Sequence, residues 1–177
     1  MGWGGSCFPK ELRALVEFAR VKGEGLPVIR SAYDVNESQP LRAVQIAGHL
    51  IGSLRGKRIA VLGVSFKPET DDIREASGLV VIHGLLREGA EVTVYDPKAM
   101  QNARNVLGEK VRYAQSALEC IEGADCCIVV TEWDEFRKLT AEDFAKRMRA
   151  PCVVDGRRIY DPNLFKSKVR FAAIGLA

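Results

Sequence analysis

Apolar residues recur at helical spacing over the first 54 positions, then give way to short apolar runs separated by helical stretches. Leu12, Leu15, Val16 and Ala19 make one stripe that stops at Gly23 and Gly25. A second begins near Pro27 with Val28, Ile29, Ala32 and Val35, is interrupted at Pro40, and resumes with Leu41, Val44, Ala47, Leu50, Ile51 and Leu54. This predicts a long helix, kinked or restarted at Pro40, because proline has no amide for the helix interior. So long an apolar face requires a partner surface.

From residue 55 the period changes. Residues 57–63 form an apolar run ending in glycine, which reads as a buried parallel strand. Residues 75–88 read as a helix and residues 89–97 as a helix stop and a second strand, so residues 57–96 make one βαβ unit with a right-handed crossover. Further strands are expected over 126–131, 152–155 and 170–174, with helices near 114–121 and 141–148. The fold class is α/β: a Rossmann-like, doubly wound parallel sheet over residues 55–177, preceded by a helical segment over residues 1–54. In such a sheet ligands bind beyond the carboxyl ends of the strands.

Composition narrows the function. Of 177 residues, 47% are hydrophobic and 28% charged, as in an ordinary globular domain. The net charge is only +3, with 26 basic residues against 23 acidic ones interspersed among them, so no nucleic-acid partner is implied. No run approaches the roughly 18 apolar residues of a membrane span, and the first residues lack the basic and apolar regions of a signal peptide. The expectation is a cytoplasmic protein without a membrane partner. The five cysteines are odd in number with no C-x-x-C pair, and His49 and His83 lie far from them in sequence, so neither a disulfide framework nor a metal site is signalled. Cys120, Cys126, Cys127 and Cys152 fall in or beside apolar runs and read as small buried hydrophobes. Cys7 stands apart.

Cys7 lies in the loop Gly4-Gly5-Ser6-Cys7-Phe8-Pro9-Lys10-Glu11. Proline favours the first turn of a helix, so Pro9 places Cys7 at a helix amino terminus, where free N–H groups favour a thiolate and can hold a developing oxyanion. The glycines let the backbone approach a ligand, and Glu11 follows across the first turn. Local chemistry leaves two readings open: an activated nucleophile, or a helix-capping loop with an incidental cysteine. A cysteine hydrolase or acyltransferase would need a histidine base, and both histidines fall within helical patterns, poorly placed for that work. After the first strand a dinucleotide site would show G-x-G-x-x-G, but only Gly63 is in place. Anion binding must lean on side chains such as Lys67 and Arg74, while Asp71 and Asp72 read as helix caps.

The string GGSCFPKE resembles the nucleophile loop of the UDP-glucose/GDP-mannose dehydrogenase family, usually G-x-G-F-G-G-S-C-F-P-K-D, with Trp3 for phenylalanine and Glu11 for aspartate. Residues 66–75 are similar to the family's F-K-x-x-T-D-D-x-R-E segment, Thr131-Glu132-Trp133-Asp134-Glu135-Phe136 to its T-E-W-x-E-F, Asp155-Gly156-Arg157 to its D-G-R, and Asn36 with Gln39 to its V-N-x-x-Q. The resemblance implies a Cys7 nucleophile that attacks an aldehyde from the first oxidation, then carries a thioester that water hydrolyses with help from Glu11. It also implies a UDP-sugar substrate positioned by Gly4, Gly5, Ser6 and Phe8, contacted by Phe66 and Lys67, and reached by Arg157. Arg74 would lie toward the cofactor, NAD, which in the family is bound mainly by a domain before the cysteine loop. This sequence is expected to lack that domain, to need it in cis or in trans, and to be inactive alone. The central helix would be a homodimer interface. Phe8 leans toward UDP-glucose over GDP-mannose, Trp133 and Phe136 read as ligand contacts or as core and lid packing, and the alternatives are a non-catalytic nucleotide-sugar-binding or dimerisation module and a fragment of a GDP-mannose or UDP-N-acetyl-sugar dehydrogenase.

Overall fold

The structure is a computed structural model in which residues 1–176 are described. Two helices come first, α1 (Phe8–Val21) and α2 (Pro27–Ile51). The chain then alternates β1 (Arg58–Leu62), α3 (Ser77–Arg87), β2 (Glu91–Tyr95), α4 (Met100–Leu107), β3 (Arg112–Tyr113), α5 (Ala117–Ile121), β4 (Cys126–Val129), α6 (Asp134–Arg137), α7 (Ala141–Arg147), β5 (Cys152–Asp155), α8 (Pro162–Lys166) and β6 (Arg170–Ala173). The strands form one parallel sheet in the order β3-β2-β1-β4-β5-β6. Ile59 of β1 lies opposite Val92 of β2 on one side and Cys126 of β4 on the other. The chain leaves the centre toward β3 and returns to β4, so the crevice at the topological switch opens where β1 and β4 end.

Strand alternation splits the core in two. Ile59, Val61, Val92, Val94, Cys126, Ile128 and Val154 face α2 and α3 and pack with Ala43, Val44, Val81, Ile82 and Leu85. Ala60, Leu62, Cys127, Val129 and Val153 face the other way, onto Ile121, Phe136, Phe144, Tyr160 and Phe165. In that second layer Tyr160 stacks on Phe165 with ring centroids 4.2 Å apart and donates its hydroxyl to the Phe136 carbonyl at 2.8 Å. Burial pushes the phenol pKa well up, which keeps it a donor. Cys120, Cys126, Cys127 and Cys152 are buried as expected, and Cys7 is exposed. Trp133 and Phe136 are both buried, which favours packing over direct ligand contact.

Two expectations are narrowed and one is overturned. α2 is one helix through Pro40, not a restarted pair, because Pro40 is buried and Ala43, Val44 and Ala47 beyond it pack into the sheet layer. Gly84 of α3 lets that contact close: a Cβ there would sit 3.0 Å from Leu41 and 3.2 Å from Val44. The carboxyl half of the stripe thus finds its partner within the chain, whereas Leu15, Phe18, Val21, Val28 and Val35 of α1 and the first half of α2 remain exposed. Finally, Asp71 and Asp72 do not cap α3: the helix begins at Ser77, its N-cap is Ala76 without a side-chain bond, Asp72 pairs with Arg74 in the preceding loop, and Asp71 accepts from Asn102 of α4. No helix among the described residues is long and apolar enough to cross a membrane.

Candidate functional site

The site grows from the carboxyl end of β1. Gly63 takes φ +99 so that the chain can pass β4 closely; a Cβ there would lie 2.5 Å from the Thr131 side chain. Thr131 donates its hydroxyl to the Ser65 carbonyl at 2.7 Å, joining the loop after β1 to the loop after β4. Beneath both lies Asp96, fully buried just after β2. Its Oδ2 accepts from the Val64 and Ser65 amides at 2.8 and 2.9 Å, the Ser65 hydroxyl at 2.8 Å and the Trp133 indole at 3.2 Å. Its Oδ1 accepts from the Lys98 and Ala99 amides at 3.0 and 2.9 Å, at the start of α4.

Above this base the loop presents Phe66, half-buried, and Lys67, exposed with Nζ 5.5 Å from the centre of the Phe66 ring. Arg74 is also exposed, and pairs with Asp72 through its Nε and Nη2 at 2.8–3.1 Å. That pair raises the guanidinium pKa and lowers the carboxyl pKa. Glu69 and Glu75 occupy positive φ of 62° and 52°, uncommon for side-chain-bearing residues. Glu75 is held there by Arg13 of α1 at 2.8 Å.

The cysteine loop is stitched onto this loop. Gly5, at φ +91, donates its amide to the Arg74 carbonyl at 3.0 Å, and a Cβ on it would press 2.9 Å from the Phe66 ring. Gly4 lies against the Glu75 carbonyl more closely still. From the other side Asn36 of α2, itself buried, accepts the Trp3 amide at 2.7 Å and donates to the Trp3 carbonyl at 3.2 Å. Cys7 is the N-cap of α1, with its sulfur exposed 3.6 Å from Ser6 Oγ and near enough to Arg74 to add a little to that guanidinium's raised pKa. Phe8 is exposed and meets Trp3 edge-on at 5.2 Å. Glu11 closes the first helical bond to Cys7 through its amide, while its carboxylate turns to Lys10 at 3.3 Å and stands in solvent.

Arg157 approaches from the loop after β5. Its Nε donates to the Val130 carbonyl at 2.6 Å and lies 3.0 Å from Glu132 Oε2, and burial lowers its pKa. Thus Gly4, Gly5, Phe66 and Arg74 form one contiguous surface with Cys7 and Phe8 at its edge, whereas Arg157 is bonded to the end of β4 and Glu11 stands off the surface. Sequence reasoning missed Asp96. Its signal was an acid immediately after β2, where a dinucleotide fold places the carboxylate for a ribose.

The chain matches two family models of the UDP-glucose/GDP-mannose dehydrogenase family: the UDP binding domain over residues 60–162 and the central domain over residues 1–38. It is 44% identical over 159 residues to UDP-glucose 6-dehydrogenase AglM of Haloferax volcanii, covering 90% of this chain and 36% of that protein. It is 36% identical over 160 residues to UDP-glucose 6-dehydrogenase TuaD of Bacillus subtilis, covering 90% of this chain and 35% of that one. Among solved structures, a UDP-glucose dehydrogenase from Pyrobaculum islandicum superposes with a TM-score of 0.89 at 36% identity, over 99% of this chain and 38% of its own. A UDP-D-ManNAc dehydrogenase from Pyrococcus horikoshii superposes with a TM-score of 0.83 at 30% identity, over 98% and 39%. The chain therefore spans little more than a third of the length of each of these relatives.

Proposed function

The chain belongs to the UDP-glucose/GDP-mannose dehydrogenase family, and from that premise we propose that it is the nucleotide-sugar-binding and nucleophile-bearing part of a UDP-glucose 6-dehydrogenase. One observation supports the reading: the Cys7 loop is bonded through Gly5 to Arg74 and packed on Phe66, which brings Cys7 beside the strand-end loop proposed to bind the diphosphate. A sugar whose diphosphate lies along Lys67 and the Gly4–Gly5 backbone would place its far end at Cys7.

The domain's own residues do not fit NAD. The strand-end loop has one of the fingerprint glycines, Gly63, and the space beside it is closed by Thr131. The acid after β2, Asp96, has both oxygens committed inward and none free for a ribose. NAD, which supplies the hydride acceptor of the whole enzyme, would therefore be held mainly by residues outside this sequence, and Arg74 would at most face it from the rim. The chemistry left to this chain is covalent. Cys7 Sγ would add to the sugar's C6 aldehyde as a thiohemiacetal, with the developing oxyanion facing the free amides at the start of α1. After oxidation to the thioester, water would displace the thiolate and free the acid. Glu11 would assist that water only after swinging away from Lys10, a motion its exposure permits.

Two measurements test the reading. The isolated chain should bind UDP and UDP-glucose, and in a dehydrogenase reconstituted with its NAD-binding part Cys7→Ser should abolish net acid formation. Undiminished turnover in Cys7→Ser would sink the nucleophile assignment. The outward turn of Glu11 favours a second reading, a nucleotide-sugar-binding or dimerisation module without chemistry. An inert Cys7 toward iodoacetamide, alongside tight UDP binding, would select it. Dimerisation would use Leu15, Phe18, Val28 and Val35, the part of the α1 and α2 face left exposed among the described residues.

A further inference from the structure

Asp96 differs from the other two buried acids in the number of groups that hold it. Asp125 is paired with Arg149 at 2.6–2.8 Å and Asp155 accepts the Arg157 and Tyr160 amides, whereas among the described residues Asp96 is in no ion pair and six N–H or O–H donors from the segments after β1, β2 and β4 converge on it. Lys98, the nearest lysine in sequence, sends its ammonium to Glu69 at 2.6 Å and not to Asp96. Donors fixed in this way around a fully buried carboxylate leave it one low-energy arrangement, since an unsatisfied buried charge is costly. The segment most constrained is Val64-Ser65, which gives three of the six donors and continues directly into Phe66-Lys67. A loop with a single glycine must bind a diphosphate with side chains, and a side chain on a mobile loop loses much of its binding energy to ordering.

We propose that Asp96 is the positioning residue of the nucleotide-sugar site: through the Val64 and Ser65 amides, the Ser65 hydroxyl and the Trp133 indole, it holds the Phe66–Lys67 tip in its diphosphate-binding shape. The inference rests on the proposed nucleotide-sugar site. It adds that a residue touching no ligand sets the affinity, and that the buried indole after β4 reports on the tip.

The experiment is a UDP titration of the ¹⁵N-labelled chain, followed by calorimetry and by the two indole N–H resonances, of which Trp133→Phe identifies one. UDP should shift the Trp133 resonance although its ring is buried. Asp96→Asn should weaken UDP binding by at least about tenfold, the factor that about 1.4 kcal/mol produces. Ser65→Ala and Trp133→Phe, which leave the carboxylate in place and keep the test alive if Asp96→Asn does not fold, should each weaken it roughly three- to tenfold. Phe171→Leu, on the edge strand β6 at the far end of the sheet from β2, should lower the melting temperature and leave UDP affinity within about twofold, because distant sites act independently. Wild-type affinity in folded Ser65→Ala and Trp133→Phe would overturn the inference alone, as would a loss that merely tracks melting temperature as in Phe171→Leu. Failure of the unaltered chain to bind UDP would overturn the proposed site, and the inference with it.

Discussion

Asn36 fastens the cysteine loop to α2, and its replacement separates that fastening from general stability. Its carboxamide accepts the Trp3 amide at 2.7 Å and donates to the Trp3 carbonyl at 3.2 Å, with the side chain buried. Pro40, four residues on, supplies no N–H for the Asn36 carbonyl, and Gly2 packs against that same turn; a Cβ on Gly2 would lie 2.9 Å from the carbonyl oxygen. In Asn36→Ala two hydrogen bonds are lost, each worth about 1 kcal/mol net, and a partly buried amide and carbonyl are left to find water, for a total of about 2–3 kcal/mol. At roughly 2–4 °C per kcal/mol for a chain of this size, the melting temperature should fall by about 4–12 °C. Asn36→Asp is the sharper variant. It keeps the acceptor for the Trp3 amide but turns a second acceptor toward the Trp3 carbonyl, in a buried place. The introduced carboxyl should titrate above its unfolded value, so the protein should be weakest at neutral pH and recover as pH falls through the raised folded value toward the unfolded value of about 3.9, where the protonated group donates again. Calorimetry at several pH values and hydrogen exchange of the Trp3 amide read both effects. If Asn36→Ala melts within about 1 °C of the unaltered protein with Trp3 exchange unchanged, the fastening contributes nothing and the reasoning fails.

Gly5→Ala should cost more than Gly23→Ala, since both residues have positive φ, about 1–2 kcal/mol for a side chain, but only Gly5 also meets a ring, at 2.9 Å; equal melting temperatures would refute the contact. Asp125 accepts from Arg149 and the Arg58 amide, and the hydrogen-bonded pair with Arg149 holds its pKa below the usual carboxylate value. A depressed folded pKa gives stability that is full above the unfolded value of about 3.9 and drains as pH falls through the folded value, so Asp125→Asn should cost about 1.5–3 kcal/mol at pH 7 and progressively less below pH 4 in urea titrations. Phe18→Asp with Val35→Asp should shift sedimentation toward the monomer if the exposed face of α1 and α2 joins two copies; an unchanged profile would assign that face another role.

The sheet was legible because its central strands are nearly pure apolar runs. β1 and β4 are buried on both faces, and no helix of four or five residues could bury the same sequence as well. The elements that escaped notice are short or polar: β3 is two residues long, α6 and α8 are a single turn each, and α4 is an eight-residue helix buried only through Ala103 and Leu107. Asp71 and Asp72 carried a cap signature, yet neither caps. Arg74 and Asn102 engage them within a loop that stays irregular to Ala76, so tertiary pairing displaced a local preference. At Pro40 the same thing happened in reverse, with packing on α3 holding as one helix a sequence whose proline argues for a break.

The site shows where a motif reading ends. Cys7, Phe66 and Arg74 could be picked out as separate strings, but that they meet depends on Gly5 bonding to the Arg74 carbonyl and Asn36 gripping Trp3, contacts between segments 33 to 69 positions apart. Asp96 makes the point more sharply. An acid after the second strand is where a dinucleotide fold would hold a ribose, and local sequence cannot tell an acid facing a ligand from one facing the core. What separates them is the count of donors around it. With six protein donors on its two oxygens Asp96 has no acceptor left for a sugar, so the feature that would have argued for NAD in this domain argues against it. In the proposed site, the same saturation would hold the loop after β1 in one shape, so that Lys67 does there what a glycine-rich turn does elsewhere. On that reading the missing glycines and the inward acid are two sides of a single exchange, backbone recognition of a dinucleotide given up for side-chain recognition on a pinned loop.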